Sequence, residues 1–155
     1  MISIQEEDFN PNLLQENLKK KVGEKAGAIV SFTGYVRDYR NDAEIQKLFL
    51  EHYPNMCERE LNIIVNNAYQ NWKLLDVVIV HRVGILYPGN RIVFVSTASI
   101  HRKEAFLSCE YILDMIKTCI PIWKCETLAE GSKFWVSPTS KDYTKRQLWN
   151  EKYTS

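Results

Sequence analysis

The sequence predicts an α+β fold in which a mixed or antiparallel β-sheet packs against helices. Two long segments repeat apolar residues with the period of an amphipathic helix, and segments rich in Val, Ile and aromatic residues alternate with them. No internal repeat, low-complexity tract or Pro/Gly/Ser-rich linker interrupts the chain, which indicates a single domain over residues 1–155. After a short first helix, the predicted order of elements is β-β-α-β-β-α-β-β-α.

The first half of the chain is predicted to form a short helix, two strands and a long helix. An Asn-Pro pair at residues 10–11 is typical of a helix start and predicts a helix to residue 20. Residues 27–36 and 47–53 are rich in β-branched and aromatic side chains and predict two strands joined by a polar loop. Over residues 54–72 the apolar side chains lie on one helical face, at Leu61, Ile64, Val65, Ala68, Tyr69 and Trp72.

Two further strands are predicted at residues 75–83 and 91–99, which are dense in Val and Ile and are separated by a turn at residues 87–90. Their apolar content is typical of central strands covered on one or both faces. A second amphipathic helix follows, and Pro121 ends it. Its apolar face consists of Ala105, Phe106, Cys109, Ile112, Leu113 and Ile116.

The last elements are a hairpin and a helix. Residues 122–127 and 133–136 predict two strands that turn at residues 130–131, where a Glu-Gly pair lies. A Thr-Ser pair at residues 139–140 provides a cap for a C-terminal helix that continues to Trp149.

The charge and hydropathy of the chain disfavour several classes of partner. The 20 Lys and Arg against 19 Asp and Glu give a net charge of +1, which provides no broad cationic field for nucleic acid or an anionic membrane. The longest apolar runs, at residues 77–80 and 92–95, are far shorter than the roughly 20 residues needed to span a bilayer. The acidic N-terminus lacks the features of a secretory signal, so we expect a cytosolic protein.

The 4 cysteines are expected to be reduced thiols, because none falls in a CxxC pair and a chain of this length needs no disulfide to hold its core. Cys57 and Cys109 lie in helical patterns and are expected to be buried apolar residues. His52, His81 and His101 are too widely spaced for a zinc-ligand pattern, so no metal is expected.

The standard motifs of nucleotide-binding, zinc-dependent and serine-dependent enzymes are absent from the sequence. Cationic side chains remain at the ends of predicted elements, where a rigid scaffold presents functional groups to a cleft. They are Arg37, His101, Arg102, Lys117 and Lys124.

His101 and Arg102 lie where the second amphipathic helix begins. A helix N-terminus has unpaired N–H groups, and an adjacent Arg can grip phosphate with two hydrogen bonds, so the pair is a candidate anion site. The alternative is that Arg102 is a solvated first-turn residue and His101 a polar cap. Arg37, beside Asp38 and Arg40, is by itself typical of a surface charge.

Lys117 and Lys124 flank the apolar segment 120–123. Partial desolvation there lowers the pKa of an ammonium group, as acid–base and nucleophilic lysines require. The alternative is that Lys117 is a favourable cation at a helix C-terminus and that the Lys124 side chain extends from its strand to solvent.

Several ordered blocks have the composition and spacing of one known family. They are residues 32–37, 50–56, 81–84, 88–89, 101–102, 117–118 and 121–126. Over about residues 27–149 the sequence therefore resembles the MoaE family, the large catalytic subunits of molybdopterin synthase.

The resemblance implies a hammerhead-like single domain and a sulfurtransferase of molybdenum-cofactor biosynthesis. In this family a ubiquitin-like small subunit inserts a C-terminal Gly-Gly tail that carries a thiocarboxylate. Its sulfur passes in two rounds to cyclic pyranopterin monophosphate and forms the dithiolene of molybdopterin. The large subunit is a homodimer flanked by two small subunits in a heterotetramer, and the protein itself needs no metal or cofactor.

The resemblance also implies a set of site residues, with Lys117 and Lys124 as the catalytic pair. Arg37, His101 and Arg102 hold the cyclic phosphate, and His101 and Arg102 can come from the second protomer. Lys117 lies nearer the partner's terminal glycine and Lys124 nearer the pterin, where they move protons or polarise the acceptor carbon. The implied substrate-contacting residues are Tyr35, Val36, Arg37, His101, Arg102, Lys117, Lys124, Cys125 and Glu126.

Two departures from the family pattern stand out. Tyr35 occupies a position where relatives often carry Lys, and Thr139 lies where some relatives place an Arg that reaches a neighbouring subunit, with Lys141 as a substitute.

Two other functions stay open: a non-catalytic dimeric scaffold that binds a ubiquitin-like tail, and a phosphate-ester hydrolase unrelated to sulfur. The set of cations argues against the scaffold, and the lack of a metal set or nucleophile–His pair argues against the hydrolase.

Overall fold

The computed structural model describes residues 1–153 and confirms the α+β class, with helices packed on mixed and antiparallel sheets. The strands are β1 (Ile2–Gln5), β2 (Ala28–Tyr35), β3 (Tyr39–Arg40), β4 (Ala43–His52), β5 (Leu74–Arg82), β6 (Gly84–Leu86), β7 (Arg91–Ser99), β8 (Ile122–Leu128) and β9 (Lys133–Val136). The helices are α1 (Pro11–Val22), α2 (Met56–Asn71), α3 (Arg102–Cys119) and α4 (Ser140–Tyr153). A 3₁₀ turn, Gly23–Lys25, follows α1.

The first sheet has the strand order β1-β5-β7-β2, with β1 parallel to β5 and the other neighbours antiparallel. Because side chains alternate along a strand, β5 points Val77 and Ile79 toward α2 and α3, and Val78 and Val80 toward α1. Both faces are therefore covered, which explains why β5 and β7 carry near-continuous apolar runs. The prediction that these strands are central is confirmed.

The second sheet is antiparallel, with the order β3-β4-β8-β9 and with β6 also paired to β4. Its inner face packs around Leu48, Leu50 and Leu86, which are almost fully buried together with Val36 and Val83. This small core joins the end of β2 to the second sheet. The end of the first sheet and the middle of β8 are thereby fixed relative to each other.

Three short strands, β1, β3 and β6, were not predicted from the sequence, and β4 begins before the predicted residue 47. Each short strand is held by backbone hydrogen bonds to a longer neighbour, a relation that side-chain patterning does not record. The predicted hairpin of β8 and β9 is confirmed, and its turn includes Gly131 at a φ of 101°.

None of the helices within residues 1–153 is long and apolar enough to cross a membrane.

The C-terminal helix α4 continues beyond the predicted end at Trp149 because its last turns pack on aromatic residues. The Trp149 ring meets Trp72 at 5.9 Å, Tyr111 at 5.6 Å and Tyr153 at 5.5 Å between ring centroids. The Trp149 indole also donates a hydrogen bond of 2.8 Å to the carboxylate of Asp114 on α3. The contacts with Tyr111 and Asp114 fix α4 against α3, and the contact with Trp72 joins it to the end of α2.

Candidate active site

Helix α3 separates the candidate cations into two groups. His101 and Arg102 lie at its N-terminal end, and Lys117 lies in its last turn. At about 1.5 Å of rise per residue, Arg102 and Lys117 are roughly 22 Å apart along the helix axis. Within one chain, therefore, the candidate anion pair and the lysines do not meet.

Lys117 and Lys124 lie close enough for their charges to interact, because the chain turns between α3 and β8. Helix α3 ends at Cys119, Ile120 is extended, and Pro121 prevents continuation of the helix before β8 starts. Burial lowers the pKa of Lys124, and the charge of Lys117 lowers it further, while Asp142 and Glu126 act in the opposite direction. This is the effect that the apolar segment between the two lysines leads us to expect.

The two lysines differ in exposure. The side chain of Lys117 is 61% exposed, whereas Lys124 is partly buried on the inner face of the second sheet. Its β4 partner in the ladder is Leu50, which is 1% exposed. The burial of Lys124 makes the loss of its ammonium proton easier than it would be in solvent.

Two carboxylates, Asp142 and Glu126, lie near the two lysines. Only Glu126 is among the site residues that the sequence implies. Asp142, at the start of α4, lies 3.7 Å from the Lys117 ammonium nitrogen and was missed. Glu126 lies on β8 and forms an ion pair of 3.3 Å with Arg40, whose guanidinium also covers the Phe134 ring at 5.4 Å. This ion pair of Arg40 was not predicted from the sequence. The sequence did contain a signal for Asp142, because it closely follows the predicted cap of the last helix at residues 139–140.

The end of β2 lies at the same end of the fold as Lys117. Helix α3 starts just after β7 and packs back along β7 and β2, so that its last turn approaches the end of β2. Tyr35 is 55% exposed there, and Arg37 is exposed next to it. Val36 differs, since its side chain is 7% exposed and its N–H and C=O both bond to residues 89–90. Val36 thus supports the strand end.

Cys125 points away from Lys124, because neighbouring residues of a strand face opposite sides of the sheet. It lies in a row with its ladder partners Phe49 and Trp135, and Phe49 is in turn paired with Ile85. We call this row, together with Trp123, the outer apolar row: Ile85, Phe49, Cys125, Trp135 and Trp123. Four of its members are more than a third exposed, with Trp135 at 56% and Trp123 at 54%.

His101 occupies the N-cap position of α3, but within the described chain its side chain caps no backbone N–H group. The alternative assignment of His101 as a satisfied polar cap is therefore not supported. The imidazole and the Arg102 guanidinium are both exposed beside the first turn. They are free to face a ligand or another subunit.

An open cavity of about 690 Å³ lies beside Tyr35, between the end of β2 and the start of α1. It is lined by Thr33, Tyr35, Arg91 and residues 8–12, and the lysines do not line it. The cavity is therefore separate from the two lysines.

Two of the cysteine thiols are buried in the core. All 4 cysteines within residues 1–153 are free, and Cys57 and Cys109 are buried as predicted. Burial raises the pKa of Cys109 to about 12, which keeps the thiol protonated. Among residues 1–153 no group of three or more His, Cys, Asp or Glu side chains could hold a metal ion.

Comparison with known proteins decides the family. The model of the MoaE protein family matches residues 4–119, about three quarters of the chain. The chain belongs to the MoaE family. Its relatives include the molybdopterin synthase catalytic subunit of Pseudomonas aeruginosa, which is 44% identical over 97% of this chain and 99% of that protein. The resemblance seen in the sequence is thereby confirmed.

Solved structures of MoaE proteins share the fold of this MoaE-family chain. The molybdopterin biosynthesis MoaE protein of Burkholderia ambifaria superposes with a TM-score of 0.82 at 41% identity, covering 97% of both chains. A complex of subunits 1 and 2 of the molybdopterin-converting factor of Helicobacter pylori has a TM-score of 0.69 at 22% identity, covering 87% of this chain and 89% of that one. At this low sequence identity, the comparison with the Helicobacter pylori complex shows a shared fold and no more.

Proposed function

We propose that this MoaE-family chain is the catalytic subunit of a molybdopterin synthase. It transfers sulfur from the thiocarboxylated C-terminus of a ubiquitin-like small subunit to cyclic pyranopterin monophosphate. The observation that carries the proposal is the pair Lys117 and Lys124, in which a partly buried lysine with a lowered pKa lies beside a second ammonium group. The relatives named as catalytic subunits of this enzyme support it.

The protein has two main tasks in this reaction, to position the two substrates and to transfer protons. It does not supply the nucleophile, because the small subunit carries the reactive sulfur. The thiocarboxylate sulfur forms a C–S bond at a pterin carbon as a C–O bond at that carbon breaks. Water then cleaves the acyl C–S bond, which leaves the sulfur on the pterin and a carboxylate on the small subunit, and the lysines supply or remove the protons of these steps. Lys124 is suited to give up a proton because burial disfavours its charged form and lowers its pKa. Lys117, which is exposed, is suited to meet the tail of the small subunit.

The substrate carries a cyclic phosphate, for which we propose Arg37, His101 and Arg102 as ligands. Arg37 lies at the lysine end of the fold, whereas His101 and Arg102 are roughly 22 Å from Lys117 along α3. A small pterin cannot span that distance. We therefore propose that His101 and Arg102 serve the site of a second protomer in a homodimer.

We assign the outer apolar row to the contact between the two copies. Contiguous exposed aromatic side chains on a sheet are typical of a protein–protein interface. Phe49, Trp123 and Trp135 extend across three neighbouring strands, so a self-complementary contact would cover all of them. With one small subunit on each copy, the assembly is a heterotetramer.

Reconstitution tests the function directly. The chain is mixed with cyclic pyranopterin monophosphate and a thiocarboxylated small subunit that is active with a known catalytic subunit, and dithiolene formation is measured in a single turnover. We expect sulfur to appear in the pterin. Binding of the small subunit without turnover would indicate a scaffold, and opening of the phosphate ring without sulfur incorporation would indicate a hydrolase.

A further inference from the structure

Helix α4 brings a carboxylate to the lysine end of the fold, although it lies beyond the residues that the family model matches. Asp142 Oδ1 is 3.7 Å from Lys117 Nζ. The Asp142 side chain is only 15% exposed, while Lys117 is 61% exposed. The carboxylate is thus the more buried member of the pair and the lysine the more exposed one.

Asp142 is held in place by the start of its own helix. Its Oδ2 accepts a hydrogen bond of 2.8 Å from the Thr139 N–H, and its own N–H donates to Thr139 Oγ1 at 3.3 Å. This reciprocal capping arrangement occupies one carboxylate oxygen. The other oxygen, Oδ1, is left to face Lys117.

The far end of α4 is fixed to the same helix that carries Lys117. Trp149 donates its indole hydrogen bond to Asp114, which lies three residues before Lys117 on α3. Because residues three apart lie on the same side of a helix, α4 contacts one side of α3 at both places. Helix α4 therefore contacts α3 at two separated places, through Asp142 and Lys117 and through Trp149 and Asp114.

The charges around this pair come from three elements. Lys117 belongs to α3, Lys124 and Glu126 to β8, and Lys145 to α4, where it acts on Asp142 together with Lys117. Burial opposes the charged form of Asp142, but the Thr139 hydrogen bonds and the two lysines outweigh it and hold the carboxyl pKa below its usual range. Asp142 is therefore ionised at neutral pH and attracts both lysines of the site.

We propose that Asp142 is a positioning residue of the sulfur-transfer site. Its carboxylate holds the Lys117 ammonium beside Lys124 and offsets the repulsion between the two, so that α4 completes the site. The inference rests on the proposed function, since it assigns the purpose of the pair to that reaction. Without the carboxylate, Lys117 is free to swing into solvent, and Lys124 loses an anion that favours its charged form.

The test compares Asp142→Asn, Asp142→Glu and Glu151→Gln. Asparagine keeps an oxygen that can accept the Thr139 hydrogen bond, so the charge is removed while the cap is retained. Glutamate keeps the charge. Glu151→Gln removes one charge from the exposed end of the same helix, where Glu151 accepts a hydrogen bond from Gln147.

Two measurements are made on each full-length variant. The first is the single-turnover rate of dithiolene formation with saturating small subunit. The second is the pKa of Lys124, followed by NMR with 13C-labelled lysine side chains, which needs no activity. We expect Asp142→Asn to slow turnover by about 5-fold to 100-fold, the range between a weakened surface ion pair and a misplaced catalytic group. We also expect the pKa of Lys124 to fall.

Asp142→Glu should recover most of the rate, and Glu151→Gln should match the wild type in both measurements. An Asp142→Asn variant with wild-type turnover and an unchanged Lys124 titration would overturn the inference. So would an equal loss in Glu151→Gln, because it would trace the effect to the helix rather than to the contact. If the wild type itself transfers no sulfur, the proposed function fails, and the NMR titration still decides whether Asp142 acts on Lys124.

Discussion

Lys124 on β8 lies directly opposite Leu50 on β4, so a lysine shares the inner face of the second sheet with a leucine that is 1% exposed. Lys124 therefore extends from the edge of an apolar core. Burial disfavours its charged form, which lowers its pKa and destabilises the folded state at neutral pH. The same burial prepares the amine to exchange a proton.

Replacing Lys124 with Met should stabilise the fold and abolish turnover. Methionine has a similar length and fills the partly buried position without a charge. The folded pKa of the lysine is depressed, so its destabilising effect is present at neutral pH and disappears as the pH rises above the unfolded value. We expect the thermal midpoint at pH 7 to rise by about 2–5 °C, and the gain over wild type to shrink toward pH 10.5. Calorimetry at both pH values checks this, and a lower midpoint at pH 7 would contradict it.

Lys117→Arg and Lys124→Arg separate proton transfer from charge. Arginine keeps the positive charge but does not release its proton near neutral pH. If both lysines move protons, each variant should lose about 100-fold to 10,000-fold in the single-turnover rate. A lysine whose Arg variant retains most of the rate acts as a fixed charge only.

His81 should make the protein acid-sensitive. It is 4% exposed, its Nδ1 donates to the Arg82 carbonyl oxygen at 2.8 Å, and burial lowers its pKa to about 4 from 6.5. Nearby Lys124 and His52 act in the same direction. Between pH 6.5 and 4 the unfolded chain binds the proton and the folded chain does not, so stability falls as the pH falls. The loss is at most about 3 kcal/mol.

Urea unfolding at pH 7 and pH 4, for wild type and His81→Gln, measures that contribution. The variant is expected to be less stable at pH 7 but to lose less stability on acidification, since glutamine does not titrate. Asp142 and other carboxylates contribute equally to both proteins and cancel in the difference. Parallel losses in the two proteins would show that His81 is not the cause.

The sequence was a good guide to the long elements and a poor one to the contacts between them. Helices α2 and α3 were found because their apolar residues recur on one face, and β5 and β7 because both faces of each are buried. Strand β1 carries only Ile2 and Ile4 as a signal and is fixed by its parallel pairing with β5. Such pairing depends on distant backbone groups that local patterning does not encode.

In the candidate site, too, the sequence identifies individual residues better than the contacts between distant elements. The lysines could be selected from the sequence because they flank an apolar segment at a helix–strand junction. Asp142 could not, because it reaches Lys117 only through the docking of α4 by Trp149. Cys125 is different, since strand alternation alone predicts that it faces away from Lys124. The family resemblance implies that both residues contact the substrate, which stays a prediction, and in the structure they face opposite sides of β8.

Disrupting the outer apolar row should dissociate the proposed homodimer. Phe49→Asp places a charge at the centre of the row, and Trp135→Ser removes its largest exposed side chain on β9. Removing an aromatic anchor from an interface typically costs about 2 kcal/mol or more, which is roughly 30-fold in affinity. Light scattering at micromolar concentration should show a shift toward monomer. Leu13→Asp, at an exposed apolar position on α1, is the matched control and should leave the assembly unchanged.

Mixing two impaired variants should restore activity if His101 and Arg102 serve the partner's lysines, provided that the assay uses a pterin concentration that saturates the wild type but not Arg102→Ala. Arg102→Ala should weaken pterin binding by about 10-fold to 150-fold through loss of a charge-assisted hydrogen bond, and Lys124→Arg should block proton transfer. In a mixed dimer one site receives both defects and the other receives none. After dissociation and random reassociation, half of the dimers are mixed and each has one intact site, so about a quarter of the wild-type activity should return. Two variants that stay impaired after subunit exchange would show that Arg102 and Lys124 do not complement each other across the dimer, and the proposed sharing of the site between protomers would be wrong.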